Sequence, residues 1–99
     1  MELKIQSIHF DATQKLQDFI QKKITKIEKS GEQIHKAEVI LKVVKPETAL
    51  NKEVSIRFNV PGNELFATKT CDTFEEGIDN CMEALNKQLI KYKEKKAKR

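Results

Sequence analysis

The spacing of hydrophobic residues changes repeatedly along this chain, and each change marks an element boundary. Leu3 and Ile5 alternate with Lys4 and Gln6, which predicts a short first strand. Asp11 to Gln14 then offers helix-start chemistry, with either Asp11 or Thr13 as the capping acceptor. Leu16, Ile20, Ile24 and Ile27 follow at near-helical spacing, and Gly31 suits the left-handed position that closes a helix after Lys29 and Ser30. From Ala37 the period becomes two: Ala37, Val39, Leu41 and Val43 point one way, Glu38, Ile40, Lys42 and Val44 the other. Pro46 to Asn51 reads as a loop, and Val54, Ile56, Phe58 and Val60 mark a third strand. Pro61-Gly62-Asn63 is a turn signal, so residues 64–70, with Leu65 and Ala67 on one face, return as a fourth strand in a hairpin.

The last element is a long helix. Thr73 and Glu76 match the S/T-x-x-E capping box, and Asp72 with Glu75 offers the same pair one residue earlier. Phe74, Ile78, Cys81, Met82, Leu85, Leu89 and Tyr92 fall within one apolar stripe of about 100°. From Thr73 to Lys93 such a helix is about 30 Å long. The order is thus β-α-β-β-β-α. A strand-helix-strand unit makes the first two strands parallel neighbours, and hairpins add the rest. Each helix has a single apolar stripe, so the expected fold is α+β: a four-stranded mixed sheet with two helices packed on one face, similar to double-stranded RNA-binding domains. Residues 1–95 form one domain and 96–99 a short basic tail.

Composition narrows the chemistry. Charged residues are 34% of the chain against 38% hydrophobic, a balance that fits a soluble domain with an ionic surface. No apolar run approaches the ~18 residues of a membrane span, and the strand-like start has no signal-peptide core; a cytoplasmic location is expected. Cys71 and Cys81 read as free thiols, and their spacing from each other and from His9 and His35 is not that of a zinc site. Gly31, Gly62 and Gly77 are isolated, which leaves no phosphate-cradling loop. Asp72, Glu75, Glu76 and Asp79 suit a helix start better than a catalytic pair. No nucleophile with a base is legible. The expectation is a protein with no enzymatic activity, catalytic residue, metal, cofactor or small-molecule substrate.

Charge is distributed unevenly. Residues 1–86 carry 12 Lys/Arg and 14 Asp/Glu, whereas residues 87–99 carry seven basic residues and one acid, Glu94. A basic segment of this kind seeks phosphate. On the last helix Lys87, Lys91 and Lys98 lie opposite the apolar stripe with Lys95 towards its side. Lys93 and Lys96 point towards the core side, so that helix must outrun the core. On the first helix Lys15, Lys22, Lys26 and Lys29 sit away from the Leu16–Ile27 stripe. With both helices on one face, these lysines are expected to form one continuous basic patch. Lysine suits phosphate backbones more than base edges. Tyr92 and Phe66, the plausible exposed stackers, read as core-edge residues, which favours structured RNA over single strands.

The order of elements, Lys26-Ile27-Glu28-Lys29, Val39-Ile40-Leu41-Lys42, Ile78-Asp79 and the run Lys87-Gln88-Leu89-Ile90-Lys91-Tyr92-Lys93-Glu94-Lys95 resemble the ribosome hibernation-promoting factors. That family includes the ribosome-associated inhibitor and was once labelled a sigma-54 modulation protein. The chain ends at Arg99, where long forms carry a further domain, so the likeness is to the short form. The resemblance implies a bacterial translation inhibitor of stress or stationary phase. It would bind the small ribosomal subunit and its ribosomal RNA, in the channel of messenger and transfer RNA, without a membrane and as a monomer off the ribosome. By position, Lys87, Lys91, Lys93 and Lys95 match family residues held to contact RNA phosphates, and Lys23 and Lys26 match basic positions less specifically. Lys22 and Lys29 complete the expected site from the first helix. The family often carries lysine where this chain has Ala84. Its D-x-Y-x-A-I-D start reads here as Asp72 to Asp79, one residue longer and without the tyrosine. Two other functions fit the residues: a general double-stranded RNA-binding module, and a protein-interaction module using the acidic start and basic end of the last helix.

Overall fold

Period-two segments become a sheet with one greasy and one wet face, and both helices lie on the greasy one. The structure, a computed structural model, describes residues 2–8, 10–29, 34–44 and 51–97, the last three as backbone. Its elements are β1 (Glu2–Ile8), α1 (Gln14–Lys29), β2 (Lys36–Val43), β3 (Lys52–Val60), β4 (Asn63–Cys71) and α2 (Phe74–Ala97). The strand order is β1-β2-β3-β4, with β1 parallel to β2 and the other pairs antiparallel. The α+β architecture expected from sequence is the one observed. Gly31, His9, most of the 46–51 loop, Lys98 and Arg99 lie outside the described residues.

Each helix start is settled by a hydroxyl rather than a carboxylate. Thr13 Oγ1 accepts from the Leu16 N–H at 3.1 Å, and Thr73 Oγ1 accepts from the Glu76 N–H at 3.1 Å. Both bonds satisfy an N–H that the first helical turn leaves without a partner. Helix α2 continues through Ala97, into the stretch the sequence assigns to a tail. At 24 residues it is about 36 Å long.

The core is built from the predicted positions. Leu16, Ile20 and Ile24 of α1 and Phe74, Ile78, Cys81, Met82, Leu85 and Leu89 of α2 are buried against Ala37, Val39, Leu41, Val54, Ile56 and Phe58. Gly77 lets α2 approach β3 closely, since a Cβ there would stand 2.7 Å from Val54 Cγ2. Gly62 follows Pro61 with φ +74°, the left-handed second position of a tight turn between β3 and β4. The Tyr92 hydroxyl donates to the Pro61 carbonyl and ties α2 to that turn.

The ladder also fixes helix direction. Helix α1 joins two parallel strands and so runs against them. Asn80 bonds Cys71 and Gln88 bonds Phe66, so α2 runs against β4. Strands β1, β2 and β4 share a direction, and the two helices therefore run the same way. Phe10 and Phe74 stack at 4.7 Å where both helices begin. Acids (Asp72, Glu75, Glu76, Asp79) gather at that end and lysines at the other.

Candidate nucleic-acid interface

The open face of the sheet is electrically balanced. Lys4, Lys36, Lys42 and Arg57 share it with Glu2, Glu38, Glu53 and Glu64. Arg57 is held by Glu64 at 3.0 Å and Glu38 at 3.8 Å. Its guanidinium lies 5.6 Å from the centre of the Phe66 ring. Phe66 is 45% exposed here and is not the core-edge residue its hydrophobicity suggests. Its strand parity is opposite to that of Leu65 and Ala67, which face the core. A face with equal positive and negative charge offers a polyanion no net attraction, so the cationic surface is on the helices.

Helix α1 carries its lysines outward. Lys22, Lys26 and Lys29 line a shallow groove with Asp18, Gln21 and Thr25. All three are exposed, as spacing away from the buried Leu16–Ile24 stripe requires. Lys23 lies nearer the core: its ammonium meets Asp79 of α2 at 3.0 Å and stands 5.3 Å from the centre of the Phe19 ring. This lysine is a clasp between the helices as well as a cation. Both partners of the pair stay substantially in water, at 40% and 53% exposure, so the clasp stabilises the fold by no more than about 1 kcal/mol.

Helix α2 places its lysines on a different flank. Lys87 lines a groove with Lys69, Asn80, Glu83 and Ala84, on the side of α2 where Gln88 reaches the edge of β4. Lys91, four residues on from Lys87, lies on the same flank. Asp79 marks the opposite flank, towards α1. On the helical wheel Glu76, Glu83 and Glu94 fall between these flanks, along the outer crest. The patch expected from sequence is therefore interrupted by acids along the crest of α2, with Lys87 and Lys91 on the β4 side of them and Lys93 on the side towards α1. Two amphipathic helices on one face do merge their outer surfaces, but the rotation of α2 about its own axis decides which residues meet, and its contacts to β3 and β4 set that rotation.

Lys87, Lys91 and Lys93 are all exposed. Lys93 follows Tyr92, the last half-buried side chain among the described residues of α2. The backbone at Lys95 continues the helix. Lys87 also lies 3.7 Å from Glu83, one turn earlier, in a pair both of whose members are largely exposed. Lys69 was not among the residues singled out by sequence. The signal was present: a lysine at an inward-facing position of a strand otherwise lined by Leu65, Ala67 and Cys71.

Among the described residues no cluster of His, Cys, Asp and Glu could hold a metal ion. Both cysteines are free and buried, and burial pushes the Cys81 thiol up from 9.0 to about 11. No helix among the described residues is long and apolar enough to cross a membrane.

Comparison with known proteins identifies the fold and the family. The family model described as sigma 54 modulation protein / S30EA ribosomal protein matches residues 3–97. A ribosome hibernation promoting factor of Pseudomonas putida is 32% identical over 95 residues, which span 96% of this chain and 89% of that protein. The Escherichia coli K12 protein of the same name is 28% identical over 95 residues, 96% of each chain. Among solved structures, a ribosomal subunit interface protein from Coxiella burnetii superposes with a TM-score of 0.83 at 26% identity, covering 94% of this chain and 98% of that one. The N-terminal domain of Thermus thermophilus Protein Y shares the fold, with a TM-score of 0.79 at 17% identity over 93% of this chain and 99% of that one. With a match that runs through both helices and all four strands, the chain belongs to the sigma 54 modulation protein / S30EA ribosomal protein family.

Proposed function

We propose that this protein binds the small ribosomal subunit through phosphates of its ribosomal RNA, in the channel that messenger and transfer RNAs use, and so holds ribosomes in hibernation. The carrying observation is the pair of lysine rows, Lys22, Lys26 and Lys29 on α1 and Lys87 and Lys91 on α2, on parallel helices of one small fold. Lys23, Lys93 and Lys95 belong to the same proposed site. The relatives' names support the ribosome as target and hibernation as outcome.

The physics favours backbone recognition. Ammonium groups on flexible stems satisfy phosphates without reading bases. Among the described residues the aromatic rings nearest those lysines, Phe19 and Tyr92, are half-buried, which favours phosphate contacts over stacking on unpaired bases. Two rows on a rigid frame, spaced by an acidic crest, suit the fixed phosphate positions of folded RNA. Inhibition then follows from occupancy: a domain seated where substrates pass excludes them, and no bond is made or broken. Such a factor works in the cytoplasm, where ribosomes are, and needs no cofactor.

The test is co-sedimentation with ribosomes and separated subunits on sucrose gradients, at low and moderate salt. Stoichiometric binding to the small subunit and the whole ribosome, weakened by salt, is the expected result. The double substitution Lys87→Glu, Lys91→Glu should abolish it with the fold intact. Equal affinity for a plain RNA duplex would instead identify a general double-stranded RNA-binding module. Salt-sensitive binding that survives nuclease would identify a protein partner.

A further inference from the structure

Strand β4 is an outer strand of the sheet, and its alternation sends Leu65, Ala67, Lys69 and Cys71 to the side that bears the helices. Leu65, Ala67 and Cys71 are buried, and Lys69 is exposed. Its partner across the ladder is Val54, which has no exposed surface. A lysine with this parity reaches water only by running outward past the strand edge, along the flank of α2. There it lines a groove of about 260 Å³ with Asn80, Glu83, Ala84 and Lys87. Ala84 contributes only a methyl group, which leaves room between the two long side chains. The one acid of the groove, Glu83, meets Lys87 at 3.7 Å in a largely exposed pair, a weak and easily exchanged contact.

We propose that Lys69 and Lys87 form a phosphate cleft, taking one backbone phosphodiester of RNA between β4 and α2. The cleft rests on the RNA-binding function proposed above and carries it beyond the helices to the sheet edge. Two lysines and one acid leave the groove a net positive charge, and a phosphodiester has the charge and the oxygen acceptors to bridge the two lysines. Asn80, whose Nδ2 donates to Cys71 Sγ at 3.4 Å, lines the inner side of the same groove. Lys69 has a second role available to it, since an inward-pointing charge on an outer strand discourages the addition of another strand. That guarding role is served by a charge of either sign, and phosphate binding only by a positive one.

The full-length protein and its Lys69→Gln, Lys69→Glu, Lys69→Arg and Lys87→Gln variants should be titrated onto purified small subunits across a salt series, and in parallel onto a plain RNA duplex. Thermal melting checks that each variant is folded. Lys69→Gln should lower the slope of log affinity against log salt by about 0.7 to 0.9, the share of one phosphate. Raising salt from 50 to 200 mM should then cost the variant about threefold less affinity than it costs the wild type. Lys69→Glu should bind more weakly still, Lys69→Arg should restore binding, and Lys69→Gln with Lys87→Gln should lose less than the sum of the two. Unchanged affinity and slope in Lys69→Gln, with Lys87→Gln weakened, overturns the cleft and leaves the wider function standing. A wild type that ignores ribosomes but binds duplex with the Lys69 effect keeps the cleft and removes the hibernation function. No Lys69 effect on either probe overturns the cleft.

Discussion

The side chain of Gln88 is paired with the backbone of Phe66 as a neighbouring strand would be. Its Nε2 donates to the Phe66 carbonyl at 2.8 Å, and its Oε1 accepts from the Phe66 N–H at 3.3 Å. Phe66 lies on β4, so the bonds occupy the outer edge of the sheet where a further strand could add. The same pair lies on the flank of α2 from which Lys87 and Lys91 emerge, and it adds to the buried stripe that sets the rotation of the helix.

Gln88→Ala returns that N–H and carbonyl to water. Both are at the surface, so the expected cost is about 1 kcal/mol, a fall of roughly 4–8 °C in Tm for a domain of this size. The uncovered edge should also promote self-association on storage. Thermal melting with light scattering reads both effects, and an unchanged melt with no aggregation would contradict the plug.

Gly77→Ala places a methyl 2.7 Å from Val54 Cγ2 and 3.3 Å from Val54 Cβ. Val54 is fully buried, and its branched side chain is stiff. Alanine gains up to ~1 kcal/mol in helix propensity, and overpacking costs about 1–3 kcal/mol, so a net loss is expected. Adding Val54→Ala should recover part of the loss in urea unfolding. Additive losses would show that the two positions do not touch.

Cys81 predicts a dependence on alkaline pH. Its buried thiol donates to the Val54 carbonyl at 3.5 Å, and desolvation is the main cause of the rise from 9.0 to about 11. The folded state holds this proton more tightly than the unfolded state. The contribution is therefore complete below about pH 9 and disappears as pH rises to about 11. Two pKa units correspond to about 2–3 kcal/mol. Wild type should lose that much more stability than Cys81→Ala between those pH values. Parallel curves for the two proteins would remove the basis of this prediction.

Asp79→Asn separates stability from charge. The Lys23 pair is largely in water, so melting should move by less than the equivalent of about 1 kcal/mol. Lys23 then presents an uncompensated ammonium on the basic side of α1, and affinity for RNA should rise at low salt. A weaker complex would mean that Asp79 holds Lys23 where RNA needs it.

Most of the framework is legible in the sequence because burial imposes period. Leu16, Ile20 and Ile24, or Val54, Ile56 and Phe58, have no other arrangement that hides them together. Where two candidates competed locally, sequence left the choice open: Thr13 against Asp11, and Thr73 against Asp72, differ by subtle geometry at a helix start. The two separate lysine rows were not legible, because a helical wheel gives angles within a helix and not its rotation against neighbours. That rotation depends on contacts such as Gln88 to Phe66, made between residues far apart in sequence. Lys69 is marked in sequence by its inward-facing parity, and only the edge position of β4 shows where its side chain exits.

The shared direction of α1 and α2 has a consequence for how the protein meets its target. Antiparallel helices would set Lys26 and Lys29 of α1 beside the acids that open α2, whereas here the lysine-bearing ends lie together and Glu75 and Glu76 lie at the other end. The molecule, 50 Å in its longest extent, thus has a permanent electric moment. In the field of a polyanion such a body feels a torque, and it turns lysine end foremost before the surfaces touch. Encounters that begin backwards are corrected during approach, which raises the association rate more than it lengthens the stay. Added salt shortens the distance over which the torque acts, so arrival becomes a matter of chance orientation as the screening length falls towards a few ångströms.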